Sequence, residues 1–169
     1  WRDLYVSLTI AALETDHAII TPFVTSPFLR HPLVVANALS ALQELSGGRM
    51  ALGLATGGSN IMAVGHPPAS QREIRAYWDA LTDLMEGRGT QWEGRPTAAL
   101  QHACRTPIYY SAFGPRALAL AGERGDGVIV FGGMDLDETA RKISAVRRAA
   151  QQAGRDPAAV DIWVTAFCS

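Results

Sequence analysis

Apolar residues along this chain keep two alternating rhythms. Short apolar runs, suited to strands buried on both faces, occur at residues 18–24, 50–55, 107–112, 127–131 and 161–167. Between them the spacing changes to the three-to-four period of a helix. The clearest helix is predicted over 70–86, with Ile74, Tyr77, Trp78, Leu81, Leu84 and Met85 on one face, a Ser70/Glu73 capping box at its start and Gly87 as its stop. A second, over 135–154, starts at Asp135 and Glu138, and Pro157 opposes its continuation. Further helices are predicted over 31–45, ended by Gly47 and Gly48, over 1–13, and over 115–123 with proline in the first turn. Residues 89–106 keep neither period, and Trp92-Glu93-Gly94 before Arg95-Pro96 reads as a small hairpin.

Strands alternating with helices predict an α/β fold with a parallel sheet. No internal repeat or low-complexity linker interrupts the alternation, so residues 1–169 read as one domain. A closed (β/α)8 barrel usually needs about 250 residues. Five predicted strands therefore suit either an open doubly wound sheet or a partial barrel. The opening on Trp1 without Met, and the end at Ser169 just after a strand-like run, read as a piece of a longer chain.

Composition narrows the function classes. The 169 residues are 48% hydrophobic and 18% charged, which is enough for a core and excludes a disordered chain or a small disulfide scaffold. With 15 basic against 16 acidic side chains and no basic block, the chain lacks the clustered Lys and Arg of a nucleic-acid groove. Glu14, Asp16 and His17 interrupt the most apolar N-terminal stretch, and Asp3 opposes a signal-peptide reading, so no membrane partner is expected. Cys104 and Cys168 match no metal or redox spacing and are expected as small buried hydrophobes in a reducing, cytoplasmic compartment.

Ligands of parallel α/β folds sit at the carboxyl ends of the strands. After the second predicted strand comes Thr56-Gly57-Gly58-Ser59-Asn60, open to close backbone approach or simply a tight turn needing positive φ. It lacks the G-K-[ST] of a P-loop. After the third comes Ala112-Phe113-Gly114-Pro115-Arg116, where a helix starting at Pro115 offers free N–H groups and Arg116 a cation. That is the pattern of an anion site, and equally that of an ordinary proline-started helix. His17, His31, His66 and His102 form no zinc motif, and no G-x-S-x-G elbow exists. His31 before Pro32 reads as a helix cap, and Tyr109-Tyr110 as one ring inward and one outward. With no acid, base or nucleophile constellation, any enzymatic chemistry falls to a bound cofactor.

Several segments in order carry a family resemblance: Arg30-His31-Pro32, Ser46-Gly47-Gly48-Arg49 running into Leu52-Gly53-Leu54-Ala55-Thr56-Gly57, Gly65-His66-Pro67-Pro68, Ala112 to Arg116, and Ala121-Gly122-Glu123-Arg124-Gly125-Asp126-Gly127. Together they resemble the bacterial luciferase-like superfamily, and Thr21-Pro22-Phe23-Val24-Thr25-Ser26-Pro27 resembles its methylenetetrahydromethanopterin reductase-like branch. The resemblance implies a TIM barrel of which this chain supplies strands three to seven, a piece expected to be inactive by itself. It also implies coenzyme F420 (a deazaflavin) or FMN at the strand ends. Phe23, Val24 and Thr25 would lie against the ring, with a non-proline cis peptide between Phe23 and Val24, where the family pattern more often has glycine at the first position. Thr56, Gly57, Ser59 and Asn60 would meet the cofactor's polar parts, and Ala112, Phe113, Gly114, Pro115 and Arg116 its phosphate. The implied activity is hydride transfer between coenzyme F420 and a small organic substrate by a homo-oligomer, with no catalytic side chain assigned. An FMN-dependent monooxygenase using dioxygen and a non-catalytic flavin-binding paralogue are the alternatives.

Overall fold

The computed structural model describes residues 3–133 and 135–166, and of Asn60 the backbone alone. The chain forms two compact units, Trp1–Thr106 and Pro107–Ser169.

In the first unit, helix α1 (Leu4–Glu14) starts on Asp3, whose carboxylate accepts the N–H groups of Tyr5 and Val6. Helix α2 (Pro32–Ser46) starts on His31, as its sequence suggested, with Nδ1 accepting the Leu33 N–H at 3.1 Å, and it stops at Gly47 in the left-handed conformation (φ 65°). Strand β1 (Leu52–Leu54) follows, then a single turn α3 (Ser59–Met62) and helix α4 (Gln71–Met85). The capping box of α4 is present in both directions, and the Ser70 hydroxyl and N–H hold the Glu73 carboxyl below its usual range. Helix α2 packs against both α1 and α4, burying Val35, Leu39, Ile74 and Leu81 completely.

The run 18–24 is not a regular strand. Isolated parallel bridges join Ile20 to Met50 and, one residue past the run, Thr25 to Leu54. Pro22 has no N–H to give to a ladder, although its carbonyl accepts the Gly53 N–H at 3.2 Å. The Phe23–Val24 peptide is cis. Beyond α4, strands β2 (Thr90–Trp92) and β3 (Arg95–Thr97) form the expected antiparallel hairpin, turning through Glu93 and Gly94, both at positive φ. Cys104 is exposed rather than buried, because its loop is fastened through the backbone, the Cys104 N–H donating to Ser40 Oγ. Cys168 lies outside the described residues.

The second unit is a parallel sheet in the order β4 (Ile108–Ala112), β5 (Gly127–Phe131), β6 (Asp161–Thr165). Helices α5 (Pro115–Arg124) and α6 (Leu136–Gln152) make the crossovers, and an unpredicted 3-10 turn, Pro157–Ala159, leads into β6. Tyr110 turns inward and is fully buried, while half-buried Tyr109 donates its hydroxyl to Asp161. The two helices approach closely at Gly122, where a Cβ would stand 2.8 Å from Ala149 Cβ and 2.9 Å from Ala150 N.

Two of the sequence motifs fasten the fold. The Arg49 guanidinium donates to the carbonyls of Ala12, Thr15, Ala18 and Ser46 and to Thr15 Oγ1, joining the C-terminus of α1 to the start of β1. Asp126 accepts the Ile108 N–H through its carboxylate, and Arg155 donates to the carbonyls of Gly122 and Gly125 at 2.7 Å each, closing the end of α5. No described helix is long and apolar enough to cross a membrane.

Candidate functional site

Chain direction puts the chemistry of each unit at the carboxyl ends of its strands. In the first unit these ends are Thr25 and the segment after β1. The Thr25 N–H donates to Gly53 O at 2.8 Å and its carbonyl accepts the Ala55 N–H at 2.9 Å, so the backbone of Thr25 is fully engaged. Its hydroxyl is not: Thr25 is 1% exposed and its Oγ1 has no hydrogen-bond partner. The neighbouring Ser26 Oγ, which sequence reasoning passed over, is in the same condition. An unpaired buried hydroxyl costs about 1–3 kcal/mol, and a bound polar group that reached it would recover that cost. Phe23, by contrast, is 53% exposed beside the cis bond. Gly53 permits this arrangement, since a Cβ there would strike Pro22 O and Val24 Cγ1.

Beyond β1, the Thr56 carbonyl accepts the Ala69 N–H at 2.8 Å, closing the loop that carries Gly57, Gly58 and Ser59. Gly57 sits at φ 100°, and its missing Cβ is occupied by the Ile61 side chain, so packing already demands glycine there. Gly58 faces open space, and Ser59 is exposed at the first position of α3. The Asn60 side chain lies outside what is described.

In the second unit β4 ends on buried Ala112, and Phe113 follows with 61% of its surface exposed. Its ring stacks on Phe131 at 4.1 Å between centroids and 18° between planes, a two-ring platform at the ends of neighbouring strands. Phe131 is a residue that sequence reasoning missed. Periodicity could not find it, because the platform exists only once β4 and β5 pair in register. Gly114 is the N-cap of α5 with extended backbone (φ −100°, ψ 169°), no side chain caps the helix, and a Cβ would meet nothing within 4 Å. Ala117 and Leu118 donate to Gly114 O, which leaves the Arg116 N–H at an open helix N-terminus beside the exposed Arg116 side chain. A groove of about 420 Å³ between α5 and α6 adjoins it, lined by Phe113, Pro115 and Leu118 and rimmed by Arg141, Lys142 and Arg148.

In the second unit, uncapped N–H groups with open space in front of them suit an anion such as a phosphate. In the first unit, the orphaned Thr25 hydroxyl suits a polar ligand atom.

The family model described as luciferase-like monooxygenase matches residues 1–169. The chain is 34% identical over 172 residues to a 5,10-methylenetetrahydromethanopterin reductase of Methanolobus tindarius, covering 95% of this chain and 51% of that protein. It is 32% identical over 168 residues to the F420-dependent hydroxymycolic acid dehydrogenase of Mycobacterium tuberculosis, covering 90% and 45%. Among solved structures, the coenzyme F420 dependent tetrahydromethanopterin reductase of Methanopyrus kandleri superposes with a TM-score of 0.82 at 24% identity, covering 96% of this chain and 54% of that one. This likeness shows the fold: the βα units belong to the TIM-barrel architecture of luciferase-like enzymes, and the open doubly wound alternative falls away. The chain spans about half the length of the curated relatives it matches.

Proposed function

The chain belongs to the luciferase-like monooxygenase family, and from that premise we propose that the whole protein is a coenzyme F420-dependent oxidoreductase transferring a hydride to or from a small organic substrate. The observation that carries this reading is the 34% identity to a methylenetetrahydromethanopterin reductase over 95% of the chain, joined by an F420-dependent dehydrogenase at 32%. The family description names a monooxygenase, and the second reading is an FMN-dependent monooxygenase.

When bound, the deazaflavin supplies a two-electron hydride carrier. The residues of this chain bind and orient it. Phe23, Val24 and Thr25 would form the surface under the ring, with Thr25 Oγ1 hydrogen-bonding a polar edge. Thr56, Gly57, Ser59 and Asn60 would meet its polar parts. The N–H groups at Gly114 and Arg116 would hold the phosphate, with Ala112, Phe113 and Pro115 shaping that cradle and the Phe113–Phe131 platform keeping water from it. Acid–base chemistry is assigned to no side chain of this chain. The reading extends to a cytoplasmic homo-oligomer acting on a small molecule.

The test is a fluorescence titration of the full-length protein with coenzyme F420 and, separately, with FMN. Tight F420 and weak FMN binding supports hydride transfer, and the reverse points to the monooxygenase. Binding of F420 without turnover on any alcohol or pterin donor would leave a non-catalytic paralogue.

A further inference from the structure

We propose that the groove between α5 and α6 is a docking site for an acidic amphipathic helix of a partner protein, one that carries carboxylates seven residues apart. The groove lies wholly within the second unit and has a volume of about 420 Å³.

Its shape follows from the spacing of the residues that line it. On α6 they run from Glu138 through Arg141, Ala145 and Arg148 to Gln152, in alternating steps of three and four. Such steps mark a single stripe along a helix. From 138 to 152 the stripe covers roughly four turns, about 21 Å at the helical rise. Pro115, Leu118 and Ala119 line the α5 side at i, i+3 and i+4. The side chains of Ala119, Ala145 and Ala149 are too short to fill the trough, so a rod laid along it can set its own side chains between the two helices. Phe113, exposed just before α5, offers an apolar anchor. A compact small molecule would touch one or two turns of this stripe, whereas a helix can follow all of it.

Charge selects the kind of helix. Residues 139–155 include Arg141, Lys142, Arg147, Arg148 and Arg155 and no carboxylate, although the whole chain is formally −1. Within the lining, Lys142 pairs with Glu138 at 2.8 Å and donates to the Phe131 carbonyl, so that acid and that base cancel. Arg141 reaches Asp135 only at 4.0 Å, and Arg148 has no hydrogen bond or ion pair among the described residues. Two guanidinium groups are therefore left uncancelled on one stripe, two turns apart. Carboxylates at i and i+7 of a docked helix repeat that interval. A second copy of this chain is a poorer partner, because the acids at the end of α4 are already held by Arg88.

The test is selection of a random helical peptide library, displayed on phage, against the full-length protein, followed by fluorescence anisotropy of the enriched peptides. These are expected to carry acidic residues seven positions apart with apolar residues between, and to bind more weakly at high salt. Arg148→Glu is expected to weaken them about tenfold or more, because it turns an attraction into a repulsion. Arg147→Glu makes the same change at an exposed neighbour outside the groove and is expected to cost less than about threefold. Both side chains are exposed, so both variants fold. The proposal is overturned by enrichment of basic or uncharged peptides, by equal losses in the two variants, or by the absence of any peptide sensitive to Arg148→Glu. Self-association that Arg148→Glu abolishes would overturn it by assigning the groove to a second copy. A loss of coenzyme F420 binding in Arg148→Glu as large as the loss of peptide would overturn it by making the groove part of the cofactor's site. Peptide binding is read with no cofactor present, so failure of the F420 reading leaves this site standing.

Discussion

Replacing Gly114 with Asp separates stability from phosphate binding, because the two effects have opposite signs. The position is the N-cap of α5, its backbone is extended, and a Cβ there meets nothing within 4 Å, so the aspartate fits without rearrangement. As an N-cap, Asp exceeds Gly by a few tenths of a kcal/mol, and its charge suits the positive end of the helix. The same carboxylate accepts the N–H groups meant for the phosphate and repels it. A phosphate with at least one negative charge, roughly 5 Å away, feels a repulsion of about 1 kcal/mol at the dielectric of water and about 3 kcal/mol at that of a protein surface. Coenzyme binding by the full-length protein should therefore weaken about 5- to 200-fold while the urea midpoint holds or rises. The assay is the fluorescence titration repeated at low and high salt, with Gly114→Ser as the control that caps without charge. Screening should narrow the gap between Asp and wild type, and Ser should stay near wild type. Unchanged affinity in Gly114→Asp would refute the phosphate assignment, and equal losses for Ser and Asp would refute the electrostatic argument.

Gly122→Ala pits helix propensity against packing. Propensity alone offers about 1 kcal/mol of gain, but the new methyl would press on the α6 backbone at Val146 and Ala150 and on Ala149, a clash of about 3 kcal/mol. A net loss of about 2 kcal/mol is expected in urea denaturation followed by circular dichroism, and a gain would show that the helices can part at no cost. Arg49→Met leaves four carbonyls without their donor, and a loss of about 3 kcal/mol is expected by the same measurement. A loss below about 1 kcal/mol would mean that water replaces the guanidinium. Burial pushes the hydroxyls of Tyr5 and Tyr109 up to about 12, the second aided by its hydrogen bond to Asp161. The folded chain thus holds these protons more tightly than the unfolded chain does. Stability should be intact below pH 10 and fall as pH rises through about 12, and a urea midpoint flat across that interval would contradict the assignment.

Local rules governed the elements that sequence reading placed well. The α4 capping box, the α2 start on His31 and the α6 start on Asp135 each rest on residues within three positions of one another, and each forms as read. The apolar pattern does not encode whether a neighbouring strand will accept hydrogen bonds at every position. Residues 18–24 therefore read as a strand, although Pro22 and the turn at residues 23–24 leave only isolated bridges, at Ile20 and, just past the run, at Thr25. Cys104 was misplaced for a related reason. Burial follows from what lies over a loop, and here Ser40 holds the backbone while the thiol stays outside.

The glycines show why the candidate site is harder to read than the fold. Gly53, Gly57, Gly114 and Gly122 look alike in sequence, and each could equally mark a close approach of ligand, backbone or neighbouring helix. Only the direction of the missing Cβ divides them. At Gly53 it meets the Pro22 carbonyl, at Gly57 the Ile61 side chain, and at Gly122 the α6 backbone, so packing accounts for all three. At Gly114 it meets nothing, the helix behind it is uncapped, and no internal contact requires the residue. A glycine that packing does not explain, standing before free N–H groups, has its remaining physical rationale in something that must come close from outside, which is why the weight of the cofactor assignment falls on Gly114 more than on Gly57.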